Sequence, residues 1–329
     1  MMKSYVFSAL LIMLSFLGSC RGTSSQQAQP SQSNPINIPS FSADSAYSYV
    51  ADQVNFGPRV PNTEAHKSCA QYLVSSLERM GAEVVSQRAD LTAFDGTTLH
   101  ATNIIGSFFP EKKRRVLLCA HWDTRPFSDA EADSTLWRKP IDGANDGASG
   151  VGVLLEIARH LSHMSLHVGV DIIFFDAEDY GAPDFYQGPQ SQDTWCLGSQ
   201  YWAHHPHVAN YRAEYGILLD MVGAPDALFT YEYFSYQYGA YLLEKIWGKA
   251  RQLGYGRWFV PHKTYPITDD HYYINTIAKI PCVDIIHHNP NTSHGFGPFW
   301  HTQDDNLSSI SPNTLSAVGN TLLHILANE

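Results

Sequence analysis

The sequence predicts an α/β domain in which helices cover both faces of a central mixed, mostly parallel β-sheet, the arrangement called a three-layer sandwich. Strand-like and helix-like segments alternate along the chain, which is typical of parallel and mixed sheets. Residues 170–176 form a mostly apolar run, interrupted by Asp171 and ended by Asp176, as expected of a central strand that is covered on both faces. Because 44% of the 329 residues are hydrophobic, the chain can bury a large core.

The first elements are predicted from caps and periodicity. Ser42 can cap a helix that runs to about residue 53, and Thr63 can cap a second helix that runs to residue 80. Residues 147–162 are predicted to form a helix because their apolar side chains recur along one stripe. The strands predicted in this half of the chain are residues 83–88, 99–108 and 115–121.

The second half continues the alternation. The strands predicted here are residues 170–176, 215–221 and 282–286, and the helices are residues 238–253, 270–277 and 312–326. Two irregular stretches, residues 124–141 and 182–194, are long enough to be active-site loops. The sequence contains no internal repeat and no second domain boundary, so residues 41–329 are predicted to form a single domain.

The N-terminal segment is predicted to be a targeting signal. Lys3 is followed by an apolar stretch, residues 9–16, that is too short to span a bilayer. Residues 17–20, Leu-Gly-Ser-Cys, resemble a bacterial lipobox, in which Cys20 would be lipidated after removal of the signal peptide 1–20; the alternative is a plain cleaved signal. Residues 21–40 are rich in Ser, Gln, Asn and Pro and are predicted to form a flexible tether. We therefore expect a membrane-anchored lipoprotein of the bacterial cell envelope, facing the periplasm or the cell surface.

Charge and cysteine usage exclude several classes of function. The formal net charge of -11 argues against a nucleic acid as partner. The sequence contains 16 histidines but no His-Glu-x-x-His motif, which excludes the common helical zinc-protease site. The cysteines after Cys20 are spaced neither as a CxxC metal site nor as a disulfide framework. Cys119 and Cys282 lie in strand-like apolar runs and are predicted to be buried free thiols.

Acidic and histidine residues follow the apolar strand runs at the points where the strands stop. In such folds the ligand site lies beyond the carboxyl ends of the strands. A lone Asp at a strand end is usually a turn residue or a helix cap, but a set of them with a late histidine, all at one sheet edge, is hard to explain in that way. The residues of this set are His121, Asp123, Asp146, Asp176, Glu178, Asp179, Asp220 and His301.

A divalent cation is the simplest explanation for this set. Clustered carboxylates repel one another and lose solvation unless a cation compensates their charge. A catalytic zinc ion needs about three protein ligands from Asp, Glu or His, with a further position left open. The sequence therefore predicts a zinc site at this edge of the sheet.

The same motifs resemble those of the metallopeptidase family that includes the zinc aminopeptidases. The resemblance extends from about residue 55 to the C-terminus and implies the zinc aminopeptidase fold, which is phosphorylase/hydrolase-like. The motifs that carry it are His121-x-Asp123, Asp146-x-x-Ser149-Gly150, Glu178-Asp179 and His301-Thr302.

Within this family the chain is most similar to the bacterial glutaminyl-peptide cyclotransferases, or glutaminyl cyclases. The similar segments are residues 174–179, 219–225, 268–271 and 300–306. The resemblance implies one Zn2+ per chain, held by Asp146, Asp179 and His301, with Glu178 as the general acid/base. It further implies that Asp220 and Asp269 are hydrogen-bonding partners of Glu178, and that Trp300 and Phe296 line the substrate pocket. Asp284 stands where animal relatives have a pocket histidine.

The reaction that the resemblance implies converts the N-terminal glutamine of a peptide or protein into pyroglutamate and releases ammonia. Zinc would stabilise negative charge on the amide oxygen, and Glu178 would move the proton. The pKa of Glu178 should be raised by burial and by hydrogen bonding through Asp220 and Asp269. The pocket must exclude water, and Trp195 is a further candidate for an apolar wall beside Trp300 and Phe296.

Two other functions remain open at this point. A two-zinc aminopeptidase would use His121 and Asp220 as ligands of a second metal, with Asp146 bridging and Glu178 activating water. All of these residues are present, so cyclisation is favoured only by their context, namely Trp300 before His301 and the triplet 269–271. A non-catalytic surface-binding lipoprotein on the same fold is disfavoured because such a protein is expected to have lost Glu178 or a metal ligand.

Overall fold

The structure is a computed structural model that describes residues 38–189 and 193–329. The predicted signal peptide, Cys20 and residues 21–37 of the predicted tether lie outside the described residues, as do residues 190–192 of the second predicted loop. Of the helices in the described ranges, none combines the length and the apolarity that a membrane crossing requires.

Helices and strands alternate along the chain, as predicted. The helices are α1 (Ala43–Val54), α2 (Glu64–Arg79), α3 (Ala148–Leu161), α4 (Leu197–His204), α5 (Tyr233–Gln252), α6 (Asp270–Tyr273) and α7 (Pro312–Leu326). The strands are β1 (Glu83–Thr92), β2 (Thr98–Phe108), β3 (Arg115–His121), β4 (Gly169–Phe175), β5 (Tyr215–Asp220), β6 (Phe229–Tyr231), β7 (Phe259–Lys263) and β8 (Cys282–Ile286).

Six strands form the central sheet in the order β1-β2-β4-β3-β5-β8. The strands β4, β3, β5 and β8 run parallel to one another, whereas β1 pairs with β2, and β2 with β4, in antiparallel fashion. The short strands β6 and β7 form a separate two-stranded sheet. The prediction of a mixed, mostly parallel sheet is therefore confirmed.

The central strands bury side chains on both faces of the sheet. In β3, Val116, Leu118 and Ala120 pack into the larger core cluster with residues of α1, α3 and α7, whereas Leu117 and Cys119 pack into a smaller cluster with Trp202 of α4. Successive side chains of a strand point to opposite faces, so the two clusters lie on opposite sides of the sheet. The three-layer sandwich is confirmed.

Most predicted elements are present, and the differences have local causes. Ser42 and Thr63 cap α1 and α2 as predicted, each accepting a backbone N–H at 3.2 Å. The helix predicted at 238–253 begins at Tyr233, because the Glu232 carboxylate accepts the first free N–H groups. The backbone at Gly239 is non-helical, and the predicted range begins one residue before this kink.

Two further differences concern short elements. The helix predicted at 270–277 is α6 followed by a wider π-helical turn, Ile274–Ala278. The side chain of Asn275 holds this turn against β8 through hydrogen bonds with both backbone groups of Cys282. Helix α4 was not predicted, and it begins after Cys196, which supplies no side-chain cap. Cys119 and Cys282 are buried free thiols, as predicted.

We expect Gly150→Ala to destabilise the protein. Gly150 lies on α3 where the helix contacts the sheet, and an added Cβ would lie 2.3 Å from the carbonyl oxygen of Leu219 and 2.9 Å from Cβ of Ala120. Overpacking of this kind costs about 1–3 kcal/mol of unfolding free energy. The control is Gly248→Ala on α5, where an added Cβ meets no atom within 4 Å and should stabilise the helix by about 0.5–1 kcal/mol. Denaturant unfolding measures both, and a neutral Gly150→Ala would show that α3 does not pack this closely.

Candidate metal centre and active site

The polar residues of the site lie at the carboxyl ends of neighbouring strands. His121 is the last residue of β3, and Asp220 is the last residue of the neighbouring strand β5. Glu178 and Asp179 follow β4, which borders β3 on its other side. Because these strands are parallel, their carboxyl ends meet at one edge of the sheet.

The turn after β4 is held by the carboxylate of Asp123. It accepts the backbone N–H of Glu178 at 3.1 Å and that of Asp179 at 3.2 Å. Ala177, which begins the turn, has a φ of 52°, in the left-handed region that few non-glycine residues adopt. The turn therefore directs the side chain of Asp179 towards His301 and that of Glu178 into a cavity.

Asp146 and His301 reach the same edge from loops. Asp146 lies just before α3, and its backbone N–H and that of Asn145 donate to the Asp305 carboxylate at 3.0 and 2.7 Å. His301 lies in the loop between β8 and α7, also with a left-handed φ of 52°. Such a conformation persists only where the surroundings hold it.

Asp146, Asp179 and His301 form the first cluster of possible metal ligands. One donor atom from each residue lies within 4.8 Å of the others. His301 Nε2 is 3.4 Å from Asp179 Oδ1 and 3.6 Å from Asp146 Oδ2. All three residues are buried, and Asp179 Oδ2 has no hydrogen-bond partner among the described residues. Since two carboxylates and an imidazole are a donor set that zinc accepts, this orphaned oxygen and its neighbours fit a zinc ion.

Asp146 also belongs to a second cluster, with His121 and Asp220. His121 Nε2 lies 3.0 Å from Asp146 Oδ1 and 3.2 Å from Asp220 Oδ1. Burial alone would lower the pKa of His121, but the hydrogen bonds that its ring donates to the surrounding carboxylates raise it well above its ordinary value. Burial raises the pKa of Asp220 to about 7, against the opposing effect of His121. The cluster can therefore hold either a protonated imidazole or a second cation between its carboxylates.

Glu178 lies beside both clusters. Its Oε2 atom is 3.9 Å from His121 Nδ1, and the Cys196 thiol donates to its Oε1 atom at 3.1 Å. Burial raises the pKa of Glu178 well above its ordinary value, and the charges of Asp179 and Asp269 raise it further. A carboxyl group with a raised pKa can both accept and release a proton near neutral pH.

The two residues predicted to be partners of Glu178 lie at different positions. Asp269 lies near Glu178: a carboxylate oxygen of each residue and the Cys196 sulfur lie within 4.8 Å of one another. Asp220 contacts His121, and His121 in turn faces Glu178. Asp269 therefore lies near Glu178, whereas the imidazole of His121 lies between Asp220 and Glu178.

Asp284, expected at the position of a pocket histidine, is fully buried and lies outside the described cavity lining. It groups with Asp269 and His271, and His271 lies 3.0 Å from the carboxylate of Glu232. Burial raises the pKa of Asp284 well above its ordinary value, and the charge of Asp269 adds to this effect. Asp284 therefore lies next to Asp269 but outside the cavity lining.

A cavity of about 750 Å³ opens beside Glu178, and the three predicted pocket aromatics line it. Trp300 stacks on His301 with 3.6 Å between ring centres, and the ring of Phe296 lies 5.0 Å from that of Trp300. Trp195 lies parallel to His301 at 6.2 Å. Residues that were not predicted also line the cavity, among them Tyr265, Pro266, Ile267, His288, Pro290 and His294.

Four residues that support the site were not predicted: Arg125, Asp129, Cys196 and Asp305. Arg125 and Asp129 lie in the predicted loop 124–141, where their opposite charges are the only signal, because a spacing of four residues brings side chains together on a helix but not in a loop. Cys196 and Asp305 give no such signal, because their partners lie 18 and 160 residues away in the sequence.

Comparison with known proteins agrees with this geometry. The sequence model of Peptidase family M28 matches residues 103–326, a range that includes every predicted metal and catalytic residue. Across the first curated relatives, the chain matches between 39% and 78% of each relative's own length. Among them, the glutaminyl-peptide cyclotransferase of Bos taurus is 25% identical over 82% of this chain and 78% of its own length.

Solved structures are more similar. A glutaminyl cyclase from Tannerella forsythia is 56% identical, with a TM-score of 0.87, and the match covers 88% of this chain and 100% of that one. A Zn-dependent exopeptidase from Parabacteroides distasonis is 55% identical, with a TM-score of 0.88, over 89% of this chain and 100% of that one. The fold and the zinc-enzyme character of the neighbours therefore match the expectations from the sequence.

Proposed function

The chain belongs to peptidase family M28, and we propose that it is a zinc-dependent glutaminyl-peptide cyclotransferase. It converts the N-terminal glutamine of peptides and proteins into pyroglutamate and releases ammonia. The observation that carries the proposal is the arrangement around Glu178. Its carboxyl group, on a side chain that is only 12% exposed, has a raised pKa, lies beside a cluster of possible metal ligands and faces a cavity with aromatic walls.

Asp146, Asp179 and His301 would hold one zinc ion per chain. A zinc ion bound there would supply Lewis-acid polarisation of the side-chain amide carbonyl group. The proposal of one ion is supported by His121, whose Nε2 atom lies within hydrogen-bonding reach of the carboxylates of both Asp146 and Asp220. His121 would thereby take the place that a second cation would need.

The attacking amine and its target amide belong to the same glutamine residue. The α-amine nitrogen attacks the side-chain amide carbon, a five-membered ring forms, and the bond to the amide nitrogen breaks. The enzyme therefore mainly has to fold the side chain into attack geometry and keep water away. The rings of Trp300, Phe296 and Trp195 would pack against the methylene groups of the glutamine.

Glu178 would act as the general acid/base. It would accept a proton from the attacking amine and deliver a proton to the departing nitrogen, so that ammonia leaves as a neutral molecule. The Cys196 thiol holds Oε1 at 3.1 Å, which leaves Oε2 for the substrate. Asp269, which has an oxygen within 4.8 Å of Glu178, would help to keep the pKa of Glu178 high through its charge, and Asp220 would act through His121.

A specific observation also favours the rival function. The cluster of His121, Asp146 and Asp220 has donor atoms close enough to hold a second metal, as a two-zinc aminopeptidase requires. In that enzyme Glu178 would activate a water molecule, and the products would include a free amino acid. The two functions therefore differ in what is released from the same substrate.

The test uses a synthetic peptide that begins with glutamine. We expect release of ammonia, measured by a coupled assay, while mass spectrometry shows the peptide intact except for the loss of one ammonia molecule. The zinc content of the purified protein should be one ion per chain. Release of free glutamine, together with two zinc ions per chain, would establish the aminopeptidase and overturn the proposal.

Glu178→Gln should abolish most of the activity while zinc is retained. Loss of a general acid/base lowers kcat by about 10²- to 10⁴-fold. The side-chain amide of the introduced glutamine cannot accept the proton of the substrate amine. The matched control is Asp193→Asn, which makes the same chemical change at an exposed position of the cavity lining and should keep most of the activity. Loss of zinc from Glu178→Gln would make Glu178 a ligand and contradict its assigned role.

The N-terminal expectations form part of the proposal. Residues 1–20 would be removed as a signal peptide, Cys20 would carry the lipid, and residues 21–40 would tether the catalytic domain (41–329) to a membrane of the bacterial envelope, facing the periplasm or the cell surface. Support comes from the Leu-Gly-Ser-Cys sequence at residues 17–20. Cys20→Ala should move the protein from the membrane fraction to the soluble fraction of expressing bacteria. Unchanged fractionation would refute the lipid anchor.

A further inference from the structure

We propose that Asp129 is a positioning residue that orients the imidazole ring of His301, and that Arg125 fixes Asp129 in this role. The inference rests on the proposed assignment of His301 as a zinc ligand. It concerns the loop of residues 124–141, which was predicted to be an active-site loop but contributes no residue to the described cavity lining. The loop would serve the site by acting on His301.

The two ring nitrogens of His301 face different carboxylates. Nε2 faces the proposed metal ligands Asp179 and Asp146 at 3.4 and 3.6 Å. Nδ1 faces Asp129 Oδ1 at 3.4 Å. This distance is slightly longer than an ordinary N–H···O hydrogen bond, so Asp129 acts on the ring mainly through its charge. A carboxylate at Nδ1 favours the tautomer with the proton on Nδ1, which leaves the Nε2 lone pair available to a metal.

Arg125 holds Asp129 in place. Its Nε and Nη2 atoms donate to the two carboxylate oxygens of Asp129 at 2.7 and 2.6 Å, which is a bidentate pair. The guanidinium is only 1% exposed, and its Nη1 atom donates to the carbonyl oxygen of Asp179 at 3.1 Å. The cation also lies 4.6 Å from the ring centre of Trp195. Arg125 therefore connects the backbone of one proposed ligand to the carboxylate that faces another.

Backbone contacts from the same loop hold the segment that carries His301. The N–H of Ala130 donates to the carbonyl oxygen of His301 at 3.2 Å. The N–H of Gln303 donates to Glu131 Oε1 at 2.8 Å, and its side-chain amide donates to Ser128 Oγ at 2.6 Å. These contacts explain how His301 keeps its left-handed backbone conformation. They also provide a way to separate the effect of Asp129 from that of the loop as a whole.

The experiment measures zinc affinity of the full-length protein by competition with a chromophoric chelator. Asp129→Asn should weaken zinc binding about 10- to 100-fold, the usual effect of removing the partner of a ligating histidine. The matched control is Asp304→Asn, which removes the same charge from an exposed side chain near His301 and should leave zinc affinity unchanged. Gln303→Ala loosens the loop but keeps Asp129, and should also leave the affinity within about twofold of the parent protein, well short of that 10-fold change.

A second variant guards against simple unfolding, because Asp129→Asn leaves the Arg125 charge buried without its carboxylate. Arg125→Met combined with Asp129→Leu removes both charges, a change that is often neutral for folding. This double variant should unfold at nearly the same temperature as the parent protein when both are zinc-free, yet bind zinc as weakly as Asp129→Asn.

The outcomes separate the inference from the assignment on which it rests. If His301→Ala binds zinc as tightly as the parent protein, the zinc assignment itself is wrong. If His301→Ala loses zinc but Asp129→Asn and the double variant keep parental affinity, the role of Asp129 is refuted. Equal losses of affinity in Gln303→Ala and Asp129→Asn would likewise refute it, because the loop backbone would then account for the effect.

Discussion

Asp146 presents its two carboxylate oxygens to different partners, and both halves of the site depend on this arrangement. Oδ1 lies 3.0 Å from His121 Nε2, and Oδ2 lies 3.6 Å from His301 Nε2. His121 comes from a central strand and His301 from a loop near the C-terminus, so Asp146 joins the sheet edge to a distant part of the chain. Asp305 fixes Asp146 by accepting two backbone N–H groups. A shift of Asp146 would disturb both clusters at once.

The crowding of buried carboxylates explains why the site needs a cation. An unpaired buried charge is costly, and the surrounding protein compensates the outer acids. Asp123 and Asp305 accept hydrogen bonds from backbone N–H groups, and Asp129 accepts two hydrogen bonds from the guanidinium of Arg125. Asp179 Oδ2 has no hydrogen-bond partner among the described residues, and oxygens of the buried acids Asp269, Asp270 and Asp284 also lack one. Burial raises the pKa of Asp270 and that of Asp284 well above the ordinary value, which favours their neutral forms. At Asp179, a metal bound by the proposed ligands would compensate the charge.

The fold and the inner residues of the site could be predicted because they follow from local pattern. Apolar runs that end in Asp, Glu or His predict both the strands and the shared edge at which Glu178 and Asp220 lie. The outer residues could not be predicted in this way, because their roles arise from contacts between distant segments. Nothing near Cys196 in the sequence indicates that its thiol binds Glu178. For Asp284 the family resemblance predicted a position beside the site. It did not predict that Asp284 is buried next to Asp269, because burial depends on how distant segments pack.

One set of ligands can serve two reactions, and the difference between them is which nucleophile reaches the carbonyl carbon. Glu178 can accept a proton from a substrate amine or from water with the same oxygen atom. In cyclisation the amine and the amide carbon belong to the same residue, so a restricted substrate conformation speeds the reaction. Water near Glu178 would instead favour hydrolysis of the amide. The ring of Trp300 stacks on that of His301 with 3.6 Å between ring centres, and Phe296 packs beside Trp300. Apolar surface therefore borders the proposed metal ligand. The choice of reaction therefore depends on the aromatic neighbours of the ligands, which favour a folded glutamine side chain over water.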